Sequence, residues 1–77
     1  EFAQFNLFPN PSTDNITITN NGNSKVNSYK IMDIQGRFVQ QNRFSKSISV
    51  ANLESGTYLI QLFLDNEIVG VEKFVKE

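Results

Sequence analysis

The segment Leu53 to Leu64, Leu-Glu-Ser-Gly-Thr-Tyr-Leu-Ile-Gln-Leu-Phe-Leu, constrains the fold of this chain more than any other. Glu54-Ser55-Gly56 carries turn chemistry. From Tyr58 the residues alternate, with Tyr58, Ile60, Leu62 and Leu64 on one face and Leu59, Gln61 and Phe63 on the other. Period two with aromatic and aliphatic residues predicts a β-strand. A strand apolar on nearly both faces belongs in the middle of a sheet or beneath a second layer.

The flanking segments are compatible with that strand. Phe5 to Phe8 reads as a short edge strand that runs into Pro9-Asn10-Pro11, where two prolines restrict φ and remove two backbone donors. In Ile16-Thr17-Ile18-Thr19 the isoleucines are expected inward and the threonines outward. Asn21-Gly22 is a hairpin signal. A strand from about Val26 to Ile34 follows. Tyr29 and Ile31 share a face with Asp33, Lys30 and Met32 share the other with Ile34, and this mixed pattern leaves the inward face open. Asp33-Ile34-Gln35-Gly36-Arg37 reads as a turn, with Gly36 supplying positive φ and Asp33 accepting turn amides. Phe38 to Asn42 is a half-polar edge strand, Ser47 to Val50 alternates again, and Asp65-Asn66-Glu67 turns the central strand into a return strand, Ile68 to Lys76. Gly70 inside that strand points to a bulge or a close backbone approach, and a bulge there would swap the inward face from Val69 and Val71 to Phe74. No window has helical spacing. Seven short strands with regular turns predict an all-β fold, a small immunoglobulin-like antiparallel β-sandwich.

Composition narrows the chemistry. At 77 residues the chain has room for one domain, which would bury roughly 60% of its unfolded surface. It has no cysteine and no histidine, so the commonest base and the commonest metal ligand are both missing. Its 7 basic and 8 acidic residues are dispersed and sum to a net charge of -1, which does not resemble a nucleic-acid-binding surface. No apolar run approaches the roughly 20 residues needed to span a bilayer. Ser12, Ser24, Ser45, Ser47, Ser49 and Ser55 fall in turns or half-exposed strands with no base beside them. Asp14, Asp33, Asp65 and Glu67 lie in separate turns rather than as a catalytic pair. The loops 11–15 and 20–24 are rich in oxygen but hold at most one carboxylate each, too few for a calcium site. No catalytic, metal or cofactor site is expected. Lys73 and Lys76 around Phe74 read as protection of a strand edge or as contacts to an anionic surface.

Four landmarks therefore stand in order: Phe8-Pro9-Asn10-Pro11-Ser12, Asp33-x-x-Gly36-Arg37, Leu53-x-x-Gly56-x-Tyr58 and Lys73-Phe74-Val75-Lys76. In order and spacing they resemble the C-terminal sorting domain of proteins exported by the type IX secretion system (type A, the Por secretion system family). The resemblance covers about Phe5 to Lys76. It implies a seven-stranded immunoglobulin-like sandwich in a bacterium of the Bacteroidota type. It also implies a non-catalytic signal at the C-terminus of a larger secreted cargo, which passes through the periplasm to the cell surface or the medium. The implied partners are the outer-membrane translocon, a surface sortase that in many cases cleaves the domain off, and the N-terminal cargo.

Carried over by position, Lys73, Phe74, Val75 and Lys76 would be read by the translocon. Pro9, Asn10, Pro11, Asp33, Gly36, Leu53, Gly56 and Tyr58 would be mainly structural. Glu77 departs from the many members that end on the basic residue. Residues 1–77 are expected to form a single sorting domain cut from a longer protein. The last strand, at a sheet edge, would let a partner add a strand or a second copy pair as a dimer. The main rival is a small carbohydrate-binding or adhesive sandwich, which usually displays aromatic platforms; this chain has no Trp and 2 Tyr. An inert spacer between domains is a third reading.

Overall fold

The computed structural model describes residues 5–9, 11–20 and 25–77. They form seven strands in two antiparallel sheets, with no helix among the described residues: β1 (Phe5–Phe8), β2 (Asn15–Asn20), β3 (Ser28–Asp33), β4 (Phe38–Arg43), β5 (Ser47–Ser49), β6 (Gly56–Leu64) and β7 (Glu67–Lys76). One sheet has the order β1-β2-β5 and the other β4-β3-β6-β7. The chain changes sheet after β2, after β4 and after β5. Strands β1, β2 and β5 thus take the places of A, B and E of an immunoglobulin-like sandwich, and β3, β6 and β7 those of C, F and G. The expected fold class and strand count hold. The Asn21-Gly22 turn lies outside the described residues.

The inner faces build the core. Ile16, Ile18 and Ile48 come from the three-stranded sheet; Ile31, Ile60, Leu62 and Phe74 come from the other, all buried. The inward face of β3, open from the sequence, is the one bearing Tyr29 and Ile31, because Ile31 pairs with Ile60 and Tyr29 with Leu62 on the central strand. Strand β6 is central, between β3 and β7. Its second face is half-buried under solvent rather than beneath another layer.

Strand β3 ends one residue earlier than expected. The Asp33 backbone N–H donates to Arg37 O at 2.9 Å and Gly36 N donates to Asp33 O at 3.0 Å, so the turn closes at Asp33 and Ile34 projects into solvent at 75% exposure. Strand β6 starts earlier than expected, at Gly56, which pairs with Lys76. The β6–β7 hairpin turns on Asp65 (φ 51°) and Asn66 (φ 71°), two consecutive positive values whose twist suits a two-residue hairpin. The predicted bulge lies beside Gly70. Leu62 pairs with Gly70 and Phe63 with Ile68, leaving Val69 as the extra residue. Beyond it, Phe74 faces the core.

Candidate functional site

Alternation along β7 divides the terminal motif between two faces. Phe74 is fully buried and Lys76 is buried at 8% exposure, whereas Lys73 and Val75 face solvent. Phe74 pairs with Tyr58 across the strands, and their rings stack with centroids 5.6 Å apart. The Tyr58 hydroxyl donates to Glu54 O at 2.7 Å. Tyr58 begins the F-type strand and bonds back four residues, which makes it the tyrosine corner of an immunoglobulin-like sandwich. This bond holds the β5–β6 connection against the top of the core.

Lys76 continues the same contact. Its aliphatic stem is buried beside Phe74, and its ammonium donates to Leu53 O at 3.0 Å and Glu77 O at 3.2 Å. The Leu53-x-x-Gly56-x-Tyr58 landmark is therefore the receptor for the last strand. Leu53 offers a carbonyl, Gly56 pairs with Lys76 at a φ of 156° that a side chain would strain, and Tyr58 stacks on Phe74.

The opening landmark closes the other side. Ser12 is 1% exposed, contrary to the turn or half-exposed position expected of it. It forms an isolated parallel bridge with Lys76: Ser12 N donates to Val75 O at 2.9 Å, Ser12 Oγ donates to the same oxygen at 3.2 Å, and Glu77 N donates to Ser12 O at 2.8 Å. The Phe8–Pro9 peptide is cis. Asn10 lies outside the described residues, as does most of the 20–24 loop. The edge of β7 is thus already occupied at its C-terminal end, so a partner adding a strand there would have to displace Ser12. Farther along, Phe5 N donates to Glu72 Oε2 at 3.3 Å.

The second landmark adjoins the third. Asp33 pairs with Tyr58, and Asp33, Gln35 and Arg37 line one shallow groove with Glu54, Gly56 and Tyr58. Asp33 Oδ1 accepts from Arg37 N at 3.0 Å and from Gln35 N at 2.9 Å, and Oδ2 accepts from Arg37 Nε at 2.9 Å. The Arg37 backbone amide, then the Arg37 side chain and the Gln35 amide, hold the Asp33 carboxyl below its usual range against a smaller opposing effect of lost hydration. Gly36, at φ +86°, makes this turn possible.

The opening landmark through Ser12 and the Leu53–Tyr58 landmark directly thus seat the last strand, and the Asp33 turn adjoins them through Tyr58. Three features of this arrangement went unread in the sequence: the bridge through Ser12, the inward lysine and the carbonyl that receives it. Period two in β7 did carry a signal for the second, since Phe74 and Lys76 are two residues apart. Among the described residues, no cluster of three or more His, Cys, Asp or Glu stands ready to hold a metal ion, and no helix is long and apolar enough to cross a membrane.

This geometry defines a small immunoglobulin-like sandwich built to hold its C-terminal strand. Residues 6–77 match the family model for the secretion system C-terminal sorting domain, and the chain belongs to that family of type IX sorting domains. No curated protein sequence matches it. As a member, the domain is a C-terminal sorting signal that engages the type IX machinery and serves export of an N-terminal cargo to the cell surface or the extracellular space.

Proposed function

We propose that residues 1–77 act as one folded, non-catalytic address label. The observation that carries this reading is the seating of the last strand by Ser12, Leu53, Gly56 and Tyr58, which leaves Lys73 and Val75 displayed and draws Phe74 and Lys76 inward. In this reading the cargo waits in the periplasm, the outer-membrane translocon reads the Lys73–Lys76 strand, and a surface sortase removes the domain after passage. Phe74 and Lys76 act by holding the strand in place; Lys73 and Val75 act by contact. Pro9, Asn10, Pro11, Asp33, Gly36, Leu53, Gly56 and Tyr58 support the strand. The carbohydrate-binding reading has little to stand on, because both tyrosines are in the core, at 5% and 7% exposure, and provide no platform for a sugar ring.

The test is a reporter fusion. These 77 residues are joined to the C-terminus of a periplasmically targeted fluorescent protein, in a host with an intact type IX system and in one lacking the translocon. Fluorescence outside the intact host only, and retention when residues 65–77 are deleted, is the expected result. Equal release from both hosts would refute the reading.

A further inference from the structure

Strand β7 is held unequally along its two edges. On one side it pairs with β6 in a ladder that runs from Lys76 opposite Gly56 to Glu67 opposite Leu64. On the other its C-terminal end meets the opening segment at an isolated bridge, Ser12 to Lys76, rather than along a ladder. The contacts that anchor the strand belong to the β6 side and do not involve Ser12: Phe74 stacks on Tyr58, and the Lys76 ammonium donates to Leu53 O. Ser12 can therefore leave while β7 stays on β6. Its departure would bare one acceptor and one donor, Val75 O and Glu77 N–H, which now bond to Ser12. A sheet edge with such groups exposed is a template for another strand.

The cover is itself poorly suited to pairing. Backbone groups alternate in direction along an extended run, and the Ser12 N–H points at β7. Pro11, the residue before it, has no N–H to present on the side away from β7. An incoming strand thus finds a better template beneath Ser12 than outside it.

We propose that Ser12 is a displaceable cover on the edge of β7, and that the export machinery binds by strand replacement: an extended segment of a translocon subunit takes over Val75 O and the Glu77 N–H. The inference rests on the sorting function and specifies how the last strand is read. The exchange is near balance in hydrogen bonds, because the incoming backbone brings the same donor and acceptor that leave. The Val75 side chain, 36% exposed beside the bridge, gives the incoming strand something to recognise. Until a partner arrives, the cover keeps the edge from pairing with other chains. A segment of the machinery fits better than a second copy of this domain, because two copies joined edge to edge would each have to give up Ser12.

The chain has no cysteine, so one disulfide can lock the cover. Ser12→Cys/Lys76→Cys joins two buried positions on bridged backbones, about 4.8 Å apart and within disulfide reach. The wild-type reporter fusion must first leave the intact host and not the translocon-deficient one; failure there sinks the sorting function itself, separately from the cover. Purified, detergent-solubilised translocon should then bind the oxidised double variant about tenfold or more weakly than the same protein reduced. Comparing one protein in two redox states holds the loss of the Lys76 anchor constant, and equal binding overturns the proposal. Hydrogen exchange on the wild-type chain leaves Lys76 untouched. In the translocon complex the Ser12 amide should lose protection while the Glu77 amide keeps it, since a new acceptor replaces Ser12 O. Protection of both amides, or loss of both, overturns strand replacement. Dimerisation of the purified chain with the same exchange signature also overturns it, in favour of a second copy.

Discussion

Lys76 is long, cationic and close to the C-terminus, where solvation is the ordinary expectation, yet it is buried. Its stem packs beside Phe74 and its ammonium replaces water with two carbonyl oxygens. Lys76→Met keeps the stem and removes those bonds, so it should lower stability by about 1.5–3 kcal/mol, the usual contribution of hydrogen bonds to a charged group, measured by urea unfolding. Tyr58→Phe removes only the bond to Glu54 O and should cost about 1 kcal/mol. Phe74→Ala leaves a void in the core, and a loss of about 3–5 kcal/mol is a large fraction of what a domain this small has. Asp33 supplies the pH dependence. Its folded pKa is depressed below the ordinary 3.8, so its contribution is present above that value and lost as pH falls through the lower folded one. The melting temperature of Asp33→Asn should therefore lie below wild type at neutral pH, and the gap should close in acid; a gap independent of pH would contradict the assignment.

The elements differ in how far their own residues specify them. Strand β2 alternates cleanly, and its inward face was readable; β6 was readable as a central strand, but it is apolar on nearly both faces. The inward face of β3 was not readable, because Lys30 and Met32 alternate with Tyr29 and Ile31 as if either face were apolar. Pairing with β6 decides it, and Lys30 then finds two aromatic rings on the outer face. The β6–β7 hairpin uses Asp65-Asn66 where Asp-Gly is the preferred pair for two positive φ values. Asn66→Gly should raise stability by about 0.5 kcal/mol or more, visible as a higher melting temperature, and it keeps the bond from Asn27 Nδ2 to Asp65 Oδ1 at 3.0 Å. No gain would mean that Asn66 makes a contact glycine cannot replace.

For the whole molecule, the two sheets share one core but not one degree of protection. Strand β6 pairs along most of its length on both sides, whereas β5 has three residues and one neighbour, and β4 is an exposed edge. Hydrogen exchange should be slowest in Tyr58–Leu62 and the facing part of β3, and fastest in β4 and β5. The last strand should be protected to its end at Glu77, because Ser12 O receives the Glu77 N–H; rapid exchange of that amide would mean that the bridge does not hold.

The sequence by itself determined the strands, the turn at Asp33–Arg37 and the family, and it marked Gly70 as the place of a bulge or a close backbone approach. These depend on local alternation, on residues that tolerate positive φ, and on the order of motifs along the chain. Only the tertiary structure decided what those motifs do. Leu53 receives the Lys76 ammonium on a backbone carbonyl and Ser12 bridges the last strand largely through its own backbone, groups that every residue carries, so no side-chain pattern at Leu53 or Ser12 announces the contact. The division of Lys73-Phe74-Val75-Lys76 into an anchoring half and a displayed half likewise follows from which face of β7 lies against the core, and a packed second sheet sets that.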